Sequence, residues 1–242
     1  MIEIKDLEFG IKKQRILNGI TVNLLSGIHG ILGPNGAGKT TLFRCMTGLY
    51  TNYTGTINSS ETGQETGKKY IGYLPQKFSL IPDLSLYACM DYFCMLKGIT
   101  KEKKAEIHRC LEIVNMEDYT LRKCRELSGG MIRRAGIAQA LLGRPELILF
   151  DEPTVGLDPE ERIRFRKICK EIDSNTIVLM STHIVEDILV CCDDVLIMYD
   201  GRIIFNGNER ELTGRAKEAD VGKASPETGY LSVIADARRL YE

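Results

Sequence analysis

Nine consecutive residues, Gly33-Pro34-Asn35-Gly36-Ala37-Gly38-Lys39-Thr40-Thr41, carry the spacing G-x-x-x-x-G-K-S/T. The chemistry this suits is the holding of a polyphosphate. Glycines let the backbone turn its N–H groups inward around a β-phosphate, and a helix N-terminus adds a favourable dipole. Lys39 would bridge the β- and γ-phosphates, and the Thr40 hydroxyl would ligate Mg2+. The flanks agree. Ile28–Leu32 reads as an apolar strand entering the loop, and Leu42, Phe43, Met46 and Leu49 read as a helix leaving it. The plainer alternative, a glycine-rich turn before a surface helix, does not account for four fixed positions in that context.

A second constellation follows Leu147-Ile148-Leu149-Phe150, an apolar strand that ends in Asp151-Glu152. In a parallel sheet the C-terminal strand ends face the ligand crevice. Asp151 would hold Mg2+ through its water shell, because that ion keeps waters and uses few carboxylates. Glu152 would orient and deprotonate an attacking water. Taken alone, Asp-Glu-Pro is also a common strand cap; the phosphate-binding pattern upstream favours the catalytic reading. Three further pieces are weaker singly. Leu127-Ser128-Gly129-Gly130-Met131 precedes a helix, with Ser128 a natural N-cap and two glycines that let an anion approach bare N–H groups. Gln76, in Tyr73-Leu74-Pro75-Gln76, could touch metal or water with its long amide, yet by itself reads as a loop glutamine. His183 follows the strand Ile177–Met180 through Ser181-Thr182, where an imidazole N–H could donate to a γ-phosphate oxygen; a lone histidine is more often structural.

The elements that must position these residues alternate short apolar runs with helical patterns, which predicts an α/β architecture with a substantially parallel sheet. Ile28–Leu32, Leu147–Phe150, Ile177–Met180 and Val195–Tyr199 read as strands buried on both faces. Asp200-Gly201 then predicts a hairpin into Arg202–Phe205. Ile2–Leu7 and Thr21–Leu24 are expected to pair antiparallel around Lys12 and Lys13. Between Leu84 and Arg134 the strand signal disappears, and Ile107, Leu111 and Val114 fall on one helical face after Thr100, read as an N-cap. Thr54–Lys69 reads as loop or irregular strand, and Thr213–Gly229 as a mobile tail before a short helical end.

Composition sets bounds on function. The 242 residues hold 32 Lys plus Arg against 33 Asp plus Glu, so no broad cationic field recommends nucleic acid as a partner. With 43% hydrophobic and 27% charged residues, the chain reads as an ordinary globular protein. No apolar run nears the ~18–20 residues needed to cross a bilayer, and the opening MIEIKDLEFG lacks the features of a signal peptide. Eight cysteines, without a C-x-x-C pair or a histidine at ligand spacing, are expected to be reduced thiols rather than zinc ligands.

Together these motifs resemble the ATP-binding cassette (ABC) family, specifically the nucleotide-binding subunit of an ABC transporter, in the family's order and spacing as far as about Asn208. The resemblance implies a P-loop NTPase (RecA-like) core over 1–83 and 135–212, with an N-terminal antiparallel β subdomain. A helical subdomain is inserted at 84–134 and a tail follows over 213–242. Gly33–Thr41 corresponds to the Walker A motif, Gln76 to the Q-loop, Leu127–Met131 to the signature and Leu147–Asp151 to Walker B. Glu152 looks like the catalytic base, Gly156-Leu157-Asp158-Pro159 the D-loop, and His183 the switch histidine. Gln76 joins Thr40 and Asp151 as a metal contact. Phe9 matches the aromatic that stacks on adenine, where Tyr is more frequent, and keeps the stacking face. Asp158 is also a natural N-cap before Pro159. Met131 stands where the signature usually has Gln; Ser128, Gly129 and Gly130 make the phosphate contacts, so altered packing is expected rather than lost activity.

The family likeness further implies ATP and Mg2+ as ligands, and a second ATPase subunit whose nucleotide is closed over by this chain's signature and D-loop. It also implies an integral membrane permease that holds the chain on the cytoplasmic face of the cell membrane. The short helical insert, with Met95-Leu96-Lys97-Gly98-Ile99, is similar to the ATPases of bacterial ABC-2-type exporters. Two rivals belong to other classes. One is a soluble ABC ATPase in an assembly machine. The other is a non-hydrolysing regulator, against which Glu152 and His183 speak.

Overall fold

The alternation near the N-terminus is realised at greater length than the sequence suggests. In a computed structural model, which describes residues 1–59, 71–216 and 224–241, β1 (Ile2–Ile11) and β2 (Gln14–Leu24) form an antiparallel hairpin turning at Lys12 and Lys13. β4 (Thr54–Ser59) pairs with the other edge of β1, giving the order β2-β1-β4. Ile2, Ile4, Leu7, Leu17, Ile20, Val22, Leu24 and Ile57 are buried, the period-2 burial of a sheet with one covered face. Thr54–Ser59 is thus the irregular strand of the two alternatives: Ile57 and Ser59 turn inward, and its pairing with the β1 edge shifts register between Lys5 and Glu8. Residues 60–69 of that expected loop lie outside the described residues.

The same contact unit, Met1–Thr66 with Ile177–Glu242, holds a parallel layer. β3 (Gly27–Leu32) pairs in parallel with β7 (Ile177–Thr182) on one side and β8 (Asp194–Tyr199) on the other. β8 returns through Asp200-Gly201 into β9 (Arg202–Gly207) as an antiparallel hairpin. β7 is buried at every position, as expected of a strand covered on both faces. Helix α1 (Lys39–Met46) follows β3, and α6 (Val185–Cys191) follows β7. Helix α7 (Glu209–Thr213) opens with a capping box of Asn208 and Glu211.

The chain end corrects the expectation of a short terminal helix. Helix α8 runs over Pro226–Tyr241, sixteen residues, and Ile234 and Ala237 join a core with Leu32, Ile188, Ile197, Phe205 and Leu212. Gly229 reads as a loop signal in the sequence, but it lies inside the helix because a Cβ there would stand 2.0 Å from the Leu212 carbonyl oxygen. Close approach of α8 to α7 demands the glycine, not a turn. Residues 217–223 of the expected tail lie outside the described residues.

The second unit, Gly67–Thr176, carries the parallel pair β5 (Ile71–Leu74) and β6 (Leu147–Asp151). Its helices are α2 (Leu86–Leu96), α3 (Lys103–Ile113), α4 (Gly129–Leu141) and α5 (Pro159–Glu171). Ile107, Leu111 and Val114 are buried as their spacing predicts. Thr100, however, does not stand at the start of α3; Glu102 holds the N-cap position, without a side-chain cap bond. The N–H groups of Gly98 and Ile99 bond back to Met95 and Cys94, so this stretch finishes α2 and leaves Thr100 in the connection. Lys97 closes another helix end: its ammonium donates to the carbonyls of Gln139, Ala140 and Leu142 at 3.1, 3.4 and 2.9 Å. These lie at the α4 C-terminus, where carbonyls run short of helical partners, and Gln139 has besides a long 3.4 Å bond from the Leu142 N–H. Burial pushes the Cys45 and Cys110 thiols, one in each unit, up to about 12, so both stay protonated and pack as small apolar groups.

Candidate functional site

Loop 33–38 is shaped by what it packs against. A Cβ on Gly33 would meet the Met198 carbonyl oxygen at 2.2 Å, and one on Gly38 (φ +106°) would meet Met198 Cε at 2.8 Å and Leu17 Cδ2 at 3.0 Å. The Ala37 N–H bonds to the Pro34 carbonyl at 3.2 Å, and the Gly201 N–H bonds to the Ala37 carbonyl at 3.0 Å. The β8–β9 turn and β2 therefore hold the loop from behind while Asn35 and Gly36 stand exposed at its tip. Lys39, buried at 6% exposure, folds back so that Nζ donates to Gly33 at 2.6 Å and Pro34 at 3.1 Å. Thr40 and Thr41 occupy the first turn of α1. Small residues, a positive helix end and a buried ammonium make this loop a fit for phosphate oxygens.

In the same unit, His183 is exposed directly beyond β7, and the Ile184 N–H is held by Thr182 Oγ1 at 3.0 Å. Phe9 departs from the open stacking face that the sequence implies. It is 4% exposed, and its ring lies parallel to that of Tyr50, centroids 4.8 Å apart at 8°. Tyr50 in turn accepts a hydrogen bond from Arg44 Nη1 at 3.0 Å. The Tyr50 ring thus occupies that face of Phe9. The sequence contains no signal for this, since the two rings meet across a separation of 41 positions.

The second unit gathers its own candidates around one side chain. Asp151 closes β6 at 1% exposure, and Glu152 follows at 7% with φ +50°, a left-handed conformation that is uncommon away from glycine. Arg133, on α4, reaches both. Nη2 donates to the carbonyls of Asp151 at 3.0 Å and Glu152 at 2.6 Å, and Nε to that of Pro153 at 3.0 Å. Nη1 donates to the carbonyls of Pro75 and Gln76 at 3.0 and 3.1 Å. Burial draws the Arg133 pKa down, against the nearby Asp151 and Glu152 carboxylates, which raise it. Nothing in the spacing of Arg133 along the sequence announces five backbone partners.

Ser128 caps α4, accepting from the Met131 N–H at 3.2 Å, and leaves Gly129 exposed beside it. Asp158 caps α5, accepting from the Glu161 N–H at 2.9 Å, with Pro159 in the first turn. Gln76 is exposed. A cavity of about 460 Å3 is lined by Gln76, Phe78, Gly129, Ile132, Val155 and Leu157, among others. Thr40 and Asp151 supply hard oxygen donors of the kind Mg2+ prefers. Among the described residues, no helix is long and apolar enough to cross a membrane.

Comparison with known proteins assigns the chain a family. Residues 17–155 match the family described as ABC transporter. The linearmycin resistance ATP-binding protein LnrL of Bacillus subtilis (strain 168) is 33% identical over 222 residues, covering 89% of this chain and 71% of that protein. The probable multidrug ABC transporter ATP-binding protein YbhF of Escherichia coli (strain K12) is 32% identical over 219 residues, covering 88% of this chain and 38% of that one. Among solved structures, an ATP-binding subunit of an ABC transporter superposes with a TM-score of 0.81 at 24% identity, covering 96% of this chain and 99% of its own. A dimeric bacterial ABC transporter cassette, MJ0796, gives 0.75 at 22%, covering 86% and 98%. These two likenesses concern the fold.

Proposed function

The chain belongs to the ABC transporter family as an ATP-binding, ATP-hydrolysing subunit, and from that premise we propose that it works as half of an ATPase dimer powering export through a separate membrane subunit. The observation that carries the reading is the Gly33–Thr41 loop, whose buried Lys39 and glycine-only contacts suit a triphosphate. We assign the ATPase domain to residues 1–212, with the helical subdomain over 84–134 and residues 213–242 appended.

In this reading the N–H groups of loop 33–38 and the Lys39 ammonium neutralise the β- and γ-phosphate oxygens, and Thr41 supports the turn. Thr40, Asp151 and Gln76 hold magnesium. When bound, that ion supplies charge neutralisation to the same oxygens. Glu152 accepts the proton of the attacking water, and the His183 imidazole donates to the γ-phosphate. Ser128, Gly129, Gly130 and Asp158 act on ATP held by the second subunit, where Ser128 presents the α4 N-terminus. Phosphoryl transfer asks little more of a protein than positioning and charge stabilisation. ATP binds both subunits of the closed dimer and so favours it, and hydrolysis releases it. The cavity beside Gln76 and the helical subdomain carry that change to the permease, at the cytoplasmic face of the membrane. Export is supported by the relatives, one a resistance protein and one a probable multidrug transporter protein, and by the short helical insert.

Affinity purification of the tagged chain from detergent-solubilised membranes tests the transport reading. The expected outcome is an integral membrane protein in stoichiometric amount. Recovery of a soluble partner alone would favour an assembly machine.

A further inference from the structure

We propose that Arg133 is a positioning residue for hydrolysis: its guanidinium fixes the left-handed turn at Glu152 and ties it to the Gln76 segment and to helix α4, so that the three move as one body. The inference rests on the reading of Glu152 as the base.

The hydrogen-bond count carries the argument. A guanidinium has five N–H donors in a rigid fork, and Arg133 directs all five at backbone carbonyls, those of Pro75, Gln76, Asp151, Glu152 and Pro153. Along an extended strand successive carbonyls point in alternating directions. Three in a row converge on one group here because Glu152 leaves the strand at φ +50°. The turn and the arginine therefore require each other. Without the guanidinium, the carbonyls of Asp151, Glu152 and Pro153 lose their common partner inside a region where Asp151 and Glu152 are 1% and 7% exposed, and the strained turn loses what holds it. The carboxylate of Glu152 is aimed by that backbone. A small misplacement of a reacting group costs far more in rate than in ligand affinity.

Arg133 stands five residues beyond the Ser128 cap, on the helix that Ser128 opens. A displacement of the Gln76 segment therefore reaches the turn at Glu152 and the start of α4 through one side chain. Lysine cannot replace it, having three donors on a point-like head where the site presents five carbonyls from two segments.

The test compares the full-length parent, Arg133→Lys, Arg133→Ala and Glu152→Gln. Each is measured for phosphate release, ATP affinity by calorimetry and melting temperature. Arg133→Lys is expected to lower kcat about tenfold or more while KM and ATP affinity stay within about threefold, the split of an interaction made for the chemical step. Adding it to Glu152→Gln should give no further loss. Full kcat in Arg133→Lys overturns the inference. So does a fall in ATP affinity and melting temperature proportionate to the fall in kcat, which would make the arginine a packing group. If Arg133→Ala does not fold, the lysine variant alone decides. Undiminished turnover in Glu152→Gln removes the base itself, and the inference with it; that result is read without touching Arg133.

Discussion

Lys39 donates to the carbonyl of Gly33 at 2.6 Å, six residues back along its own loop. The ammonium is thus folded back onto the carbonyls of its own loop, and it is buried. Exchange of the Gly33 and Pro34 carbonyls for phosphate oxygens replaces neutral acceptors with charged ones, a gain of about 1–2 kcal/mol per bond. Lys39→Ala should therefore weaken ATP binding by about tenfold or more. Calorimetric titration checks it, and unchanged affinity would dismiss the loop as a phosphate site.

The glycines of that loop differ in what they tolerate. Gly36 has φ +84° and open space around the Cβ position, so Gly36→Ala bears only the backbone penalty of about 1–2 kcal/mol. Gly33→Ala would drive a methyl to 2.2 Å from the Met198 carbonyl, and neither backbone can yield without moving the loop. We expect Gly33→Ala to unfold at lower denaturant than Gly36→Ala and to lose ATP binding. The reverse order in urea melts would contradict the packing described for β8.

Tyr50 covers Phe9 with rings 4.8 Å apart, an arrangement worth about 0.5–1.5 kcal/mol. If adenine takes that face, removal of the competitor in Tyr50→Ala should tighten ATP binding by several-fold, up to about tenfold. Weaker binding would instead make Tyr50 the platform for the base. Fluorescent-nucleotide titration distinguishes the two.

Burial holds the Lys97 ammonium down from 10.5 to about 8. Between those values the unfolded chain carries a proton that the folded chain has released, so raising the pH favours the folded state. The melting temperature of the parent chain relative to Lys97→Met should accordingly rise from about pH 8 to about pH 10. A difference that falls across this window would show that the ammonium is stabilised where it caps α4.

What the sequence discloses is what local chemistry determines. The Gly33–Thr41 loop, the D-G hairpin at Asp200-Gly201 and the caps at Ser128 and Asp158 each depend on a few adjacent residues, and all are formed. Readings that turn on distant partners are the ones that change. Gly229 breaks no helix because its lack of a side chain serves contact with Leu212. Thr100 caps nothing because α2 closes at Gly98 and Ile99, just before it, and α3 starts later, at Lys103. Phe9 is covered by a residue 41 positions away, and Arg133 binds carbonyls up to 58 positions distant. None of these pairings leaves a trace in spacing or composition.

Glu152→Gln is the most direct trial of the account, because it keeps the buried shape of the side chain and removes only its capacity to take a proton. Phosphate release and size-exclusion chromatography in ATP should be recorded on the same preparation. Turnover is expected to fall by about a hundredfold or more while ATP still binds and holds the protein as a dimer. Turnover equal to that of the parent chain would contradict it.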